Sequence, residues 1–181
     1  MHLPSIQPLT LSAAPQNSQT VLQAVKNQLG TIPNLHATLA HSPAVLESYT
    51  TQAGILAKGL LEGRLREQIA LAVAGSNGCN YCASAHTLLG AKAGLDRQEL
   101  SCNLSGSSND ARTEVVLDFV NNIVASRGQI TAEDLAAVRE AGYSEGEIVE
   151  LIAHVGMNIF TNYFNLIAGT EIDFPLVTTR S

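Results

Sequence analysis

The sequence predicts an all-α protein folded as a single domain. Three observations carry that expectation. Apolar residues recur at helical spacing along most of the chain. The segments so defined are punctuated by capping residues, prolines and glycines. No run alternates apolar with polar residues as a half-buried strand does, and the short β-branched runs sit in helical phase.

The elements follow in order. Residues 1–17 hold three prolines and no period, and read as an extended arm. Its Leu3, Ile6, Leu9 and Leu11 have no local partners and could lie on a neighbouring subunit. The helical domain runs over 18–181. Ser18 caps a run with Val21, Leu22, Val25 and Leu29, stopped by Gly30. Pro33 opens a short helix to about His41. Ser42-Pro43 is a cap with proline at the first helical position, for a helix to about Lys58. Residues 64–76 carry Leu65, Ile69, Ala72, Val73 and Ser76 on one face, and Asn77-Gly78 breaks the chain. Residues 79–94 form the next helix. Asp96 with Glu99 resembles a capping box for a helix to about Leu104. The tract 105–110 (SGSSND) is a loop. A helix follows over 110–127. Thr131 with Asp134 approximates a box for a helix ending at Gly142, and Ser144 with Glu147 is a full one. It opens the longest helix, to about Ala168, with Ile148, Leu151, Ile152, Val155, Ile159 and Phe160 as its apolar residues. The tail from Gly169 is irregular.

Composition narrows the function classes. Hydrophobic residues make up 45% of the 181, enough for a sizeable core. Charged residues are only 14%, against about 25% in typical domains. Part of the surface is therefore expected to be covered by another subunit. A net charge of −6 argues against binding nucleic acid or an acidic membrane surface. No run is long and apolar enough to span a membrane. The N-terminus lacks the basic start and apolar run of a signal peptide, so a cytoplasmic location is expected. Three cysteines do not make a disulfide scaffold. A Cys-x-x-Cys pair in a reducing compartment points to redox chemistry or metal.

That pair is Cys79 and Cys82, with His86 four residues on and Glu67 twelve positions before Cys79. On one helix Cys79, Cys82 and His86 fall within about 60° of one another. Thiols at i and i+3 are neighbours, and the imidazole lies one turn beyond Cys82, within reach of its sulfur. Cys79 follows a glycine break in the first turn, where unpaired N–H groups and the helix dipole favour a thiolate. Glu67 lies on the preceding helix beside Ala70, Leu71 and Ala74. A carboxylate there needs a partner, and His86 is the candidate. A Glu–His–Cys relay can move a proton from a thiol without a strong base. The rival is zinc on Cys79, Cys82 and His86 with Glu67 or His154, but no second ligand pair is visible and no metal is expected. Cys102 reads as a spare small residue and His154 as a core histidine; His36 and His41 have no partner spacing. Phe160, Tyr163 and Phe164 with Asn162 and Asn165 read as core or subunit contact.

The stretch RLREQIALAVAGSNGCNYCASAH (64–86) resembles the signature of AhpD-like alkylhydroperoxidases, within the wider carboxymuconolactone decarboxylase family. The resemblance covers roughly 33–170. The late segment IAHVGMNIFTNYFNLIAGTEIDFP is similar to a peroxidase-related subgroup. It implies an AhpD-like helical bundle assembled as a homo-oligomer, trimer or hexamer. It implies a thiol peroxidase cycle without a bound cofactor. Cys82 would attack a hydroperoxide, Cys79 would resolve the sulfenic acid, and Glu67 and His86 would relay protons. The reductant would be a protein or small-molecule thiol, lipoyl-bearing partners included. Tyr81 departs from AhpD itself, which has a histidine there. Two other functions compete: a cofactor-free lactone decarboxylase of the same family, which has no use for a dithiol, and a non-enzymatic redox-responsive protein.

Overall fold

The computed structural model describes residues 6–179. Among them the chain is all-helical, with no strand: α1 (Gln16–Leu29), α2 (Asn34–Leu39), α3 (Pro43–Leu56), α4 (Gly63–Asn77), α5 (Asn80–Lys92), α6 (Arg97–Leu104), α7 (Ala111–Ser126), α8 (Ala132–Glu140) and α9 (Glu145–Ala168). Most starts are the capping residues expected. Ser42 accepts from the Val45 N–H ahead of Pro43. Thr131 with Asp134 and Ser144 with Glu147 close full reciprocal boxes. Gly30, Gly78 and Gly169 end α1, α4 and α9 in the left-handed conformation that favours glycine.

α4 is the central rod. Its residues from Gln68 to Ala74 are all buried, and it packs against α5, α6, α7 and α9. A helix buried all round serves two cores. Ile69, Ala72 and Val73 face Val116, Phe119 and Leu151 of α7 and α9 in the larger. Ala74 leads into the second, where Leu22, Leu39 and Leu46 of α1 to α3 meet Cys79 and Cys82. The cysteines are thus set in a hydrophobic core rather than on a surface loop.

Three local readings are corrected. α1 begins at Gln16, with Pro15 in the cap position, and Ser18 lies inside the helix. Its hydroxyl donates instead to the Ala40 carbonyl at 2.8 Å, a partner 22 residues away. Of the arm, Leu3 lies outside the described residues. Leu9, Leu11 and Ala14 pack into the second core of their own chain, and backbone bonds run from Ile6 to Ala168 and from Leu9 to Ala37. Pinned from both sides, this segment covers its own chain.

The third correction is Glu99. Asp96 caps α6 as expected, accepting from the Glu99 N–H at 2.8 Å. The Glu99 carboxylate does not return the bond. It accepts from Gln68 of α4, from Asn103, from the Ser108 hydroxyl, and from the backbone and side chain of Asn109. One carboxylate thus ties α4 and α6 to the 105–110 loop. Burial alone would raise its pKa, but these donors outweigh it and hold the group at about 2, from an ordinary 4.5. A depressed pKa stabilises the fold fully above about pH 4.5, and that contribution fades as pH falls toward 2. Urea titrations at pH 6 and pH 3 should show Glu99→Gln losing less stability on acidification than the parent. Equal losses would refute the assignment.

Candidate functional site

The site is assembled where α4 gives way to α5. Gly78 turns the chain at φ 69°, and Cys79 follows in an extended conformation. The Cys79 backbone N–H returns to the Ala74 carbonyl at 3.0 Å, locking the turn onto α4. α5 then starts at Asn80, so Cys79 caps the helix rather than occupying its first turn. Its sulfur takes the place usually filled by a Ser or Asp oxygen, accepting from the Cys82 N–H at 3.4 Å. The i, i+3 spacing brings the thiols together as the sequence predicts, but through cap geometry.

The two sulfurs titrate in opposite senses. The Cys79 thiol is held low, first by the hydrogen bond it accepts from the Cys82 thiol. The Cys82 N–H and the His86 charge help, against the opposing effect of burial. The Cys82 thiol is pushed up, first because it donates to Cys79 and next by burial; Asn165 and Asn162 pull it the other way. Of the two sulfurs, Cys79 is therefore the one that gives up its proton more readily. Both residues are buried, at 1% and 3% exposure.

Glu67 and His86 meet as expected. The imidazole Nδ1 lies 2.8 Å from the carboxylate, and the pair is about one-fifth exposed. α4 presents Glu67 and α5 presents His86, so the contact follows from the packing of these two helices. Among the described residues no hydrogen bond joins His86 to either sulfur. The expected direct reach to Cys82 is replaced by an electrostatic one to Cys79. Nor do three His, Cys, Asp or Glu side chains among the described residues converge as metal ligands.

Tyr81, between the cysteines, points away from the sulfurs. Its hydroxyl accepts from the Leu35 N–H at 3.0 Å, and its ring meets the edge of Phe174. Residues 170–179 run back over the start of α5. The Val177 N–H donates to Ser84, and the Thr179 N–H and hydroxyl donate to Asn80. This strap helps to bury the dithiol. His154 is buried, its Nε2 has no partner, and burial lowers its pKa. His36 leans on Tyr49 at 5.5 Å, with its pKa lowered to about 4 by burial. Cys102 lies outside the site, against Asn109.

Three side chains that the motif does not contain lie near the Cys82 sulfur. Asn165 donates its amide to the Cys82 sulfur at 3.3 Å. Asn162 flanks the same sulfur and is held by Asn77. Tyr49 lies in the field of Cys82 and Glu67; burial first, then those two charges, pushes its phenol up to about 12. Core or subunit contact is the role the sequence suggests for the α9 amides. A signal was present: His154, Asn158, Asn162 and Asn165 form a polar stripe at helical spacing on an apolar helix, and all four are buried.

Residues 43–121 match the model of the carboxymuconolactone decarboxylase family. This part of the chain is similar to that family. The matched segment spans α3 to most of α7 and contains Glu67, Cys79, Cys82 and His86. The fold is AhpD-like throughout. An uncharacterized peroxidase-related protein from Ralstonia eutropha JMP134, with an alkylhydroperoxidase AhpD core, superposes with a TM-score of 0.84 at 22% identity, over 96% of this chain and 94% of that one. A peroxidase-related protein from Silicibacter sp. TM1040 gives 0.76 at 23% identity, over 96% and 92%. The debrominase Bmp8, in complex with 2,3,4-tribromopyrrole, gives 0.78 at 21% identity, over 93% and 91%. No curated protein matches the chain. Among the described residues no helix is long and apolar enough to cross a membrane.

Proposed function

We propose that this chain is a dithiol hydroperoxide reductase in which Cys79 and Cys82 are the redox pair and Glu67–His86 the proton relay. The observation that carries the reading is the buried pair itself, with the Cys79 sulfur capping α5 by accepting from the Cys82 N–H and the Glu67–His86 carboxylate–imidazole pair on the same two helices.

In the first step the Cys82 proton moves to Cys79, and the Cys82 thiolate attacks the distal peroxide oxygen. An S–O bond forms, the O–O bond breaks, and sulfur is oxidised by two electrons. The departing alkoxide takes a proton supplied through His86 and leaves as an alcohol. Cys79 then gives up its proton and attacks the Cys82 sulfenic acid. The S–S bond forms, the S–O bond breaks, and hydroxide leaves as water. An external dithiol, lipoyl-type or thioredoxin-like, restores both thiols by exchange.

The likeness to a debrominase favours a second electrophile, an aryl bromide, which the same pair would reduce to the arene and bromide while becoming a disulfide. A lactone decarboxylase reading gains no support from a buried dithiol at a helix cap. The outer face of α9 leaves Val149, Ile152, Tyr163, Leu166 and Ile167 exposed. That patch supports assembly with further copies of the chain.

Stopped-flow mixing of the reduced protein with an alkyl hydroperoxide, followed by thiol counting, tests the reading. Two thiols should be lost per chain, much faster than a free thiol reacts, leaving a Cys79–Cys82 disulfide. Loss at the free-thiol rate would overturn it. Brominated pyrrole in the same assay tests the second reading.

A further inference from the structure

We propose that Asn162 and Asn165 of α9 form a two-amide cradle that holds the Cys82 sulfur as a thiolate and is part of the reaction machinery. The proposal rests on the dithiol reading and extends it to a second helix. The Asn165 amide nitrogen lies 3.3 Å from the sulfur, in a buried contact. Three residues earlier, on the same face, the Asn162 amide nitrogen is buried and has no hydrogen-bond partner. Asn162 is not free to turn. Asn77, at the end of α4, donates to its Oδ1 at 3.1 Å and so commits the NH2 group to the opposite side. Asn77 lies two residues before Cys79, so the segment that delivers the dithiol also sets the cradle.

Cost and chemistry both argue for this role. A buried amide donor without a partner is costly, and a core position that only filled space would be apolar. The cost is recovered if the sulfur becomes anionic, because N–H donors to a charged acceptor are roughly twice as strong as neutral ones. While Cys82 keeps its proton the Asn162 donor has no partner; once that proton leaves, the Asn165 donor faces a thiolate and the Asn162 donor gains a charged acceptor beside it. The cradle therefore favours the form with the thiolate on Cys82, which attacks, over the form with the proton on Cys82. Asn165 Oδ1, also buried and unpartnered, is left to accept the O–H of the sulfenic acid that the attack produces. His86 and Glu67 serve the departing oxygen; the amides serve the sulfur.

The test uses a readout that does not need peroxide turnover. In a Cys79→Ser background Cys82 titrates alone, and its thiolate fraction is read from the pH dependence of iodoacetamide alkylation. Asn165→Leu should raise the Cys82 pKa and slow alkylation at pH 7 about tenfold or more, on the scale of one lost charge-assisted bond. Asn162→Leu should act in the same direction. Asn165→Asp keeps the shape, reverses the electrostatics and should have a larger effect; it decides the question if the leucine variants fold poorly by circular dichroism. A Cys82 titration unchanged by Asn165→Asp would overturn the cradle. If the titration shifts but the parent never reacts with hydroperoxide, the cradle stands and the peroxidase reading falls.

Discussion

Cys82→Ser is expected to abolish rapid hydroperoxide reduction, lowering the rate by roughly 10³-fold or more, the scale on which loss of a covalent nucleophile is felt. Cys79→Ser should behave differently. The serine hydroxyl can still cap α5 and receive the Cys82 N–H, so the fold of the turn is kept. The first oxidation then proceeds more slowly, because Cys79 no longer takes the Cys82 proton, but no sulfur resolves it, and a sulfenic acid accumulates at Cys82 where dimedone traps it. Ground-state acidity alone points the other way, because Cys79 has the lower pKa. Acidity and attack are separable. A low-pKa Cys79 is a good proton acceptor before the attack and a good leaving group when the disulfide is reduced. The amide donors, in contrast, converge on Cys82. Dimedone labelling of Cys79 in the Cys82→Ser protein, at the parent's rate of oxidation, would reverse the two roles.

Gly75→Ala is expected to destabilise the fold by about 3 kcal/mol or more, at the upper end of overpacking effects. Intrinsic helix propensity predicts the opposite, a gain of about 1 kcal/mol in a helix interior. Tertiary packing decides the sign. A Cβ on Gly75 would lie 2.0 Å from the Leu104 carbonyl oxygen and 3.1 Å from its carbon. Those are backbone atoms of α6 and cannot rotate aside, so α4 and α6 must separate. The strain would reach the site, since the neighbouring Ala74 carbonyl anchors Cys79. Gly54 in α3 is the control: nothing lies within 4 Å of its added Cβ, and alanine there should stabilise by about 0.5–1 kcal/mol. Urea unfolding of the two variants should therefore shift in opposite directions. Similar shifts would show that α4 and α6 are not in this close approach.

Much of the fold was legible because helix boundaries are decided locally. Ser42-Pro43, the boxes at 131–134 and 144–147, and the glycines at 30, 78 and 169 act within four or five residues of themselves. Their effect needs no knowledge of the rest of the chain. The Glu67–His86 contact was legible for a related reason. A carboxylate among alanines and leucines on one helix needs a partner, and the next helix carries a histidine in register with the thiols.

What failed to read locally did so through distant competition. Ser18 and Glu99 have the right residue types for caps, but the Ala40 carbonyl and the 105–110 loop claim their side chains. α9 shows the same limit on a larger scale. Its sequence offers an apolar stripe and an amide stripe. The larger core takes Ile148, Leu151 and Val155, while Ile152 and Phe160 remain exposed. The dithiol side takes Asn162 and Asn165. Sequence by itself determined the helices and most of their ends, and singled out Glu67, Cys79, Cys82 and His86 as candidates. Only the tertiary structure decided which sulfur caps the helix and which receives the amide donors. Periodicity defines the faces of a helix, but the partner of each face is set by contacts that close loops of tens of residues.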